Sequence, residues 1–269
     1  MKYFFDCWDR LKDGLKDKQL FLFLDYDGTL APLRARPGEA LLPDETRSIL
    51  QELSHENNLL LAVISGRKID DVKSKVGLEH IIYSGNHGLE LSSPHVKFDG
   101  LATPGYLSIL RRIKTDLEQR LAPFRNALIE DKDITLSVHY RTVDPRDIPA
   151  VKTLFHEATI LYLIRNKIKV KEQRMDLEVW PPVNWDKGKI VNWLLARQEL
   201  AGDRPVFPVY VGDDLTDEDA FRTLKCRGLT IFVCARPGNS AAEYYLKDQG
   251  EVAELLRRFL DMERGYQHV

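Results

Sequence analysis

FLFLDYDGTL, residues 21–30, is the segment from which the fold of this chain can be inferred. Its first four residues are apolar without interruption, and Asp25 and Asp27 follow them closely. A short run that is apolar on both faces is typical of a buried strand in a parallel sheet. Open α/β sheets bind ligands beyond the carboxyl ends of their strands. The segment therefore predicts a site at the end of this strand, where two carboxylates can provide a nucleophile and a proton donor.

The composition is that of an ordinary globular protein. Of the 269 residues 43% are hydrophobic, and 39 Lys and Arg against 41 Asp and Glu give a formal net charge of −2. This balance argues against general binding to nucleic acid. No apolar run reaches the roughly 18 residues that a membrane-spanning helix needs. We therefore expect a soluble protein that has neither a nucleic acid nor a membrane as its partner.

The cysteines and the first residues bear on the compartment. Cys7, Cys226 and Cys234 are few, odd in number and without CxxC spacing, which fits a reducing compartment. The opening sequence MKYFFDCWDR contains two aspartates and is unlike a secretory signal. We therefore expect a cytoplasmic location.

Strand-like and helix-like segments alternate in the first hundred residues and again after residue 183. Residues 3–19 have the pattern of a short amphipathic helix that precedes the first strand. Further apolar runs are expected to be strands, at residues 59–64, 81–83, 206–211 and, as the last clear strand, 229–233. Alternation of strands with helices predicts a parallel, doubly wound α/β sheet.

A different pattern interrupts this alternation. Residues 86–98 are expected to form a hairpin, and residues 103–183 follow the order helix, strand, strand, helix, strand, strand. An α+β segment inside a parallel α/β chain predicts a separate small domain that covers the site at the sheet edge. We therefore predict a discontinuous catalytic core at residues 1–100 and 184–269, with an inserted α+β cap domain at residues 101–183.

Short polar clusters lie at the predicted strand ends and helix starts. They are Asp25 with Asp27, Ser65, Lys187, and the acidic group Asp213, Asp214 and Asp217. Each cluster alone has an ordinary explanation, since aspartates form turns and serines cap helices. Taken together they suit phosphoryl transfer. Acids from two strand ends can hold Mg²⁺ through oxygen, and a carboxylate can attack phosphorus.

The remaining groups of these clusters complete that chemistry. The lysine ammonium and the serine hydroxyl can stabilise the charge on a transferring phosphoryl group. Asp27 can protonate the leaving alkoxide and then activate the water that follows. General acid–base help of this kind contributes about 10²–10⁴-fold.

The inserted segment also shows a polar face. In DITLSVHY, residues 133–140, apolar and polar side chains alternate with a period of two, and the same alternation recurs at residues 175–179. A sheet with one apolar side against its helices and one polar side toward a cleft would suit a sugar rich in hydroxyls. The alternative is that the polar side faces water, as it does in most such sheets.

Four of these motifs resemble those of a known superfamily. DYDGT, the strand-end serine, Lys187-Gly188 and GDDLTDED resemble the four motifs of the haloacid dehalogenase (HAD) superfamily, which has a Rossmann-like core. GDDLTDEDAF, SGNHGLE and SVHYR resemble, more specifically, the trehalose-6-phosphate phosphatase family. The resemblance extends from residue 21 to about residue 259.

The resemblance implies roles for the core residues. It implies Asp25 as the nucleophile and Asp27 as the general acid and base. Mg²⁺ would be bound by Asp25, Asp213 and the backbone carbonyl of Asp27. It also implies that Ser65, Gly66 and Lys187 bind the phosphate. Asp214 and Asp217 would support the metal ligands without binding the metal themselves.

The resemblance favours a set of glycosyl contacts: in the cap Glu130, Lys132, Ser137, His139, Arg141 and Glu178, and in the core Asn86 and His87. The implied activity is Mg²⁺-dependent hydrolysis of trehalose 6-phosphate through an aspartyl-phosphate. Two alternatives stay open. One is a phosphatase for sucrose, glucosylglycerol or mannosylglycerate phosphate, and the other is a non-catalytic regulatory subunit that binds a sugar phosphate.

The resemblance also bears on partners and on the beginning of the chain. A trehalose-6-phosphate synthase acting in the same pathway is a possible partner. Only about twenty residues precede the first strand. We therefore expect a form without an additional N-terminal domain.

Overall fold

The computed structural model describes residues 1–15, 18–34, 37–94, 97–98, 102–173, 175–201 and 205–266. The chain divides into two compact units. The first comprises Met1–Phe98 and Trp185–Val269, and the second comprises Asp99–Asn184. The predicted boundary between residues 100 and 101 lies outside the described residues.

The regular elements are numbered along the chain. The strands are β1 (Lys2–Tyr3), β2 (Gln19–Asp25), β3 (Leu59–Ile64), β4 (Ile82–Gly85), β5 (Glu90–Ser92), β6 (Lys97–Phe98), β7 (Leu128–Asp131), β8 (Leu136–His139), β9 (Lys169–Gln173), β10 (Asp176–Trp180), β11 (Val206–Gly212), β12 (Leu229–Val233) and β13 (Tyr244–Leu246). The α-helices are α1 (Trp8–Asp13), α2 (Asp44–Leu53), α3 (Ile69–Val76), α4 (Pro104–Leu121), α5 (Ile148–Ile164), α6 (Lys187–Ala201), α7 (Glu218–Leu224) and α8 (Gln249–Tyr266). Within the described ranges, none of these helices has the length and apolar character needed to cross a bilayer.

The sheet of the first unit has β2 at its centre. Its strand order is β1-β13-β12-β11-β2-β3-β4-β5-β6, and β2 pairs in parallel with both β11 and β3. The register places Asp25 opposite Ile64 and Leu24 opposite Val211. The residues that follow these three strands therefore meet at one edge of the sheet.

Side chains of β2 pack on both faces of the sheet, as the uninterrupted apolar run predicts. Leu20, Leu22 and Leu24 belong to a cluster that includes apolar residues of α2, α3 and α8. Phe21 and Phe23 belong to a second cluster, which includes apolar residues of α6 and α7. Helices thus cover both faces of a mainly parallel sheet, and the predicted doubly wound α/β class is confirmed.

Three short elements differ from the sequence-based expectations. Tyr3 was expected in a helix but lies in β1, which pairs in parallel with β13, and α1 begins only at Trp8. After β12, the last clear strand in the sequence, the chain forms one further strand, β13, of three residues. In the expected hairpin at 86–98, residues 86–88 form a 3-10 helix, and β5 and β6 form an antiparallel pair whose connecting residues 95 and 96 lie outside the described ranges.

The second unit is an antiparallel sheet with helices on one face. Its strand order is β7-β8-β10-β9. Apolar side chains from alternate strand positions, among them Leu136, Val138 and Leu177, pack with residues of α4 and α5 in one cluster. The polar side chains at the intervening positions therefore share the opposite face.

Candidate active site

Lys187 joins two carboxylates at the carboxyl edge of the parallel sheet. It is the first residue of α6, and its ammonium lies 2.6 Å from Oδ1 of Asp25 and 2.7 Å from Oδ1 of Asp217. The Lys187 and Asp217 side chains are 2% and 0% exposed, and Asp25 is also buried. The structure thus brings together residues from three of the four polar clusters found in the sequence, over a separation of 162 residues between Asp25 and Lys187.

Asp217 organises the loop that follows β11. Its Oδ1 accepts hydrogen bonds from Lys187 and from the hydroxyl of Tyr210, at 2.7 Å each. Its Oδ2 accepts from the backbone N–H groups of Asp213 and Asp214, at 3.0 and 2.9 Å. A carboxylate offers about four acceptor positions, so these donors occupy all of them. Asp217 therefore positions Lys187 and the loop, and the adjacent Asp213 is the better candidate for a metal ligand.

The acidic cluster fits a hard divalent cation. Asp25, Asp213 and Asp217 can each place one carboxylate oxygen within 4.8 Å of the others. Gly28 makes room for one of them, because a Cβ atom there would lie 2.1 Å from Oδ2 of Asp213. The φ angle of Gly28 is +90°, which also disfavours a side chain. Oxygen donors in a partly hydrated site are the ligands that Mg²⁺ prefers.

Burial and neighbouring charges shift the pKa values of Asp25 and Lys187 in this cluster. Burial raises the pKa of Asp25 well above its usual range, and Lys187 opposes this shift. Burial alone would lower the pKa of Lys187, but the charges of Asp217 and Asp25 raise it well above its usual value. The Lys187 ammonium therefore faces two buried carboxylates, and the positive charge of a divalent cation would favour their ionised forms.

The loop after β3 is supported from below by the SGNHGLE segment. The backbone N–H of His87 donates to the carbonyl of Ser65 at 2.8 Å, and that of Asn86 donates to the carbonyl of Arg67 at 2.7 Å. A Cβ atom at Gly66 would lie 2.5 Å from the His87 ring. Asn86 is fully buried and donates to Glu90 at 2.7 Å. The segment therefore shapes the Ser65–Arg67 loop, while the sugar-contact interpretation of Asn86 and His87 stays a prediction.

Asp27 is held by Arg67 in a two-point ion pair. The Nε and Nη2 atoms of Arg67 each lie 2.6 Å from one carboxylate oxygen of Asp27. Burial would lower the pKa of Arg67, but hydrogen bonds to Asp27 and Asp71 raise it above its usual value. Sequence reasoning did not single out Arg67, although it follows Ser65-Gly66 directly in the sequence.

On the polar face of the second unit, Glu178 accepts from three side chains. Lys132 and Ser137 donate to its Oε1 at 3.1 and 2.8 Å, and the indole of Trp180 donates to its Oε2 at 2.9 Å. All four side chains are buried. Two of the predicted sugar contacts, Lys132 and Ser137, are thus anchored by a third. Arg141, also predicted to lie on this face, follows the end of β8 and is exposed.

His139 lies between two carboxylates on the same face. Its Nδ1 is 2.7 Å from Asp176 and its Nε2 is 2.7 Å from Glu130, with the ammonium of Lys132 3.9 Å from Glu130. Burial would lower the pKa of His139, but hydrogen bonds to Asp176 and Glu130 raise it to about 9. The sequence analysis placed Asp176 on this face without assigning it a role.

The contacts of His139 with Glu130 and Asp176 predict that the stability of the protein depends on pH. Because its pKa rises from 6.5 to about 9 on folding, its contribution is complete below the unfolded value and is lost as the pH rises through about 9. Each pKa unit corresponds to about 1.4 kcal/mol. We expect His139→Gln to lower the thermal midpoint strongly near pH 6 and much less near about pH 9.5. His156→Gln, at an exposed position of α5, is the control and should shift the midpoint little at either pH. Equal losses for His139→Gln at both pH values would contradict the prediction.

Comparison with known proteins identifies relatives that match most of the chain. A family profile described as trehalose-phosphatase matches residues 23–249. Trehalose-phosphate phosphatase B of Arabidopsis thaliana is 34% identical over 270 residues, covering 96% of this chain and 71% of that protein. Trehalose 6-phosphate phosphatase RA3 of Zea mays is 34% identical over 266 residues, covering 93% of this chain and 72% of that protein.

A solved structure is similar in fold as well. The C-terminal domain of C. albicans trehalose-6-phosphate phosphatase superimposes with a TM-score of 0.78 at 25% identity. The similarity covers 93% of this chain and 94% of that domain. The residues that the family profile matches, 23–249, include the strand ends that carry the polar clusters and the inserted segment.

Proposed function

The chain belongs to the trehalose-phosphatase family, and we propose that its own reaction is the hydrolysis of trehalose 6-phosphate to trehalose and phosphate. Its relatives are named as phosphatases, so it is a phosphoric monoester hydrolase. The observation that carries the proposal is the buried Lys187, which joins Asp25 to Asp217 at the carboxyl end of β2. The two carboxylates keep the buried lysine charged. A dianionic phosphate bound next to Asp25 would need such a cation.

In the first proposed step, an oxygen of Asp25 attacks phosphorus and the bond to the sugar oxygen breaks. Asp27 gives its proton to that leaving oxygen, which departs as the neutral hydroxyl of the sugar. The product on the protein is an aspartyl-phosphate at Asp25. Ser65 and Lys187 would hold the phosphoryl oxygens during this transfer, with Gly66 allowing their close approach.

In the second proposed step, Asp27 takes a proton from water, and the water oxygen attacks phosphorus. The bond between phosphorus and Asp25 breaks, which releases phosphate and restores the free carboxylate. Asp25, Asp213 and the backbone carbonyl of Asp27 would hold Mg²⁺, while Asp217 would keep Asp213 in place. When bound, the ion would supply positive charge opposite the phosphate oxygens.

We further propose that the polar face of the second unit, a cap domain in this interpretation, binds the glycosyl part of the substrate. Glu130, Lys132 and Glu178 present charged groups, and Ser137 and His139 present hydrogen-bonding groups between them. Such a preorganised set suits a ligand with many hydroxyls. The proposal also includes Arg141, which follows β8, and Asn86 and His87 of the first unit as glycosyl contacts.

Phosphate release from a panel of sugar phosphates tests the proposal. Trehalose 6-phosphate should be hydrolysed with Mg²⁺ and not with EDTA. Sucrose, glucosylglycerol and mannosylglycerate phosphates should be poorer substrates. Preference for one of these three would replace the substrate assignment. No release from any sugar phosphate, trehalose 6-phosphate included, would favour a non-catalytic subunit that binds a sugar phosphate.

The same panel with Glu178→Gln tests the role of the polar face. This variant keeps the shape of the side chain but loses the charge that Lys132 contacts. Its activity on trehalose 6-phosphate should therefore fall more than its activity on a small phosphate ester. Glu172→Gln is the matched control, because Glu172 bonds to Tyr140 and Lys152 on the other face of the sheet. Equal losses on both substrates for Glu178→Gln would contradict the proposed contacts.

A cytoplasmic location and a functional link to a trehalose-6-phosphate synthase complete the proposal. Cys7, Cys226 and Cys234 are free thiols, which fits a reducing compartment. The proposed substrate must be made by a glycosyl transfer onto a sugar phosphate, and a synthase of this kind supplies it. Phosphatase and synthase activities in one cell fraction would support both statements.

A further inference from the structure

Arg67 contacts both oxygens of the carboxylate proposed as acid and base. The guanidinium approaches Asp27 with two N–H groups at 2.6 Å each, and the Arg67 side chain is 7% exposed whereas that of Asp27 is 32% exposed. The ion pair therefore fixes Asp27 from its buried side and leaves part of its carboxylate accessible. Two parallel N–H···O bonds define the plane of a carboxylate, which a single-point cation cannot do.

Arg67 is itself held by groups other than Asp27. Its Nη1 lies 2.7 Å from Asp71 on α3, and its guanidinium carbon lies 5.3 Å from the centre of the Tyr26 ring. Asn86 donates a backbone hydrogen bond to its carbonyl at 2.7 Å. Asp71 on α3 and the Tyr26 ring thus orient the guanidinium, while the bond from Asn86 holds the backbone of Arg67.

The same residue also touches the proposed phosphate-binding hydroxyl. The backbone N–H of Arg67 donates to Oγ of Ser65 at 3.1 Å. Arg67 therefore connects the loop after β3, which carries Ser65, to the loop after β2, which carries Asp27. An ion pair that served only the protein surface would not contact both Ser65 and Asp27.

We propose that Arg67 is a positioning residue that aligns Asp27 for proton transfer to the leaving oxygen; this rests on the proposed function. When Asp27 carries the proton on one oxygen, its other oxygen keeps a hydrogen bond to Arg67. As phosphorus bonds to Asp25 and the sugar oxygen leaves, the proton moves to that oxygen. The Asp27 carboxylate then regains both hydrogen bonds to Arg67.

The consequence is a dependence on the leaving group. A sugar alkoxide needs the proton from Asp27, whereas an aryl phosphate such as p-nitrophenyl phosphate releases a stable phenolate without it. In single turnovers, which report the first step, we expect Arg67→Lys to slow sugar release from trehalose 6-phosphate by about 10²-fold, the effect of a misplaced catalytic group. Release of p-nitrophenol should change by less than about fivefold, because general acid help contributes little there.

Two further variants keep this test decisive. Arg146→Lys is the matched control, since Arg146 makes an exposed two-point pair with Asp144, and neither substrate should be affected. Asp71→Asn weakens the second contact of the Arg67 guanidinium. Because the Asp71 side chain is 43% exposed, we expect this variant to fold even if Arg67→Lys does not. It should show the same leaving-group difference at about tenfold.

The outcomes separate this inference from the proposed function. A wild-type protein without activity on any sugar phosphate would overturn the proposed function and the inference with it. The wild-type protein could instead be active while Asp71→Asn and Arg67→Lys lose activity equally on both substrates, or on neither. That result would overturn only the positioning role of Arg67.

Discussion

Asp25→Asn is expected to lower phosphate release from trehalose 6-phosphate by about 10⁴-fold or more, as loss of a catalytic nucleophile does. The amide has nearly the shape of the carboxylate and can still accept a hydrogen bond from Lys187. It cannot form an acyl phosphate, because its oxygen is a far weaker nucleophile. Mass spectrometry of acid-quenched reactions should find phosphate on the wild-type peptide that contains Asp25 and none on the variant.

The stability of Asp25→Asn separates a chemical loss from a structural one. Burial raises the pKa of Asp25, so the ionised carboxylate is costly to bury, and the neutral amide removes that cost. The thermal midpoint should therefore be equal to or above that of the wild type. Asp131→Asn, at an exposed position that pairs with Lys114, is the control and should keep full activity. Activity of Asp25→Asn within about tenfold of the wild type would contradict covalent catalysis.

The central part of the fold was predictable because its signal is long and local. The apolar run of β2 and the similar runs of β3 and β11 each fill a strand that is buried on both faces, so composition alone identifies them. β1 and β13 have two and three residues, too few for any periodicity to show. Their pairing depends on the edge of β12, which only the assembled sheet provides.

The grouping of the candidate site was predictable in part. Parallel strands place their carboxyl ends on one edge, so Asp25, Ser65 and Asp213 could be expected together. Arg67 could not, because its partner Asp27 lies 40 residues away and the contact needs β3 to lie beside β2. Nothing in SGR alone distinguishes an arginine that binds a catalytic carboxylate from one in solvent.

Alternation in the second unit indicated which side chains share a face but not how they pair. Its period of two places Ser137, His139 and Glu178 together on the polar face. The antiparallel register then sets Glu178 opposite Ser137 and Asp176 opposite His139. That register depends on the whole sheet, so neither the three donors to Glu178 nor the role of Asp176 could be inferred from residues 175–179 alone.

Lys187→Met is expected to lower both activity and stability. The variant keeps an apolar stem of similar length but leaves Asp25 and Asp217 without the ammonium that lies 2.6 and 2.7 Å from them. Breaking a buried ion pair by removing one partner costs about 3–5 kcal/mol. At roughly 2–4 °C per kcal/mol, the thermal midpoint should fall by about 10 °C. Loss of a charge that stabilises the phosphoryl group should lower kcat by about 10²–10³-fold.

The pH dependence of this variant identifies the cause of its instability. Burial raises the pKa values of Asp25 and Asp217 in the folded protein, so the folded form takes up protons more readily than the unfolded form. Stability gained by protonation is present at low pH and is lost as the pH rises through the folded pKa values. In the absence of divalent ions, Lys187→Met should therefore approach the wild-type midpoint as the pH falls through the raised pKa values of these two carboxylates.

A matched control lies two residues further along the same helix. Lys189 pairs with Asp186, and its side chain is 39% exposed. Exposed pairs contribute about 1 kcal/mol or less, so Lys189→Met should change the midpoint by no more than a few degrees and leave activity intact. If Lys187→Met unfolded at the wild-type midpoint at neutral pH, its ammonium would not be what stabilises the buried carboxylates. The electrostatic account of the whole cluster at the end of β2 would then be wrong.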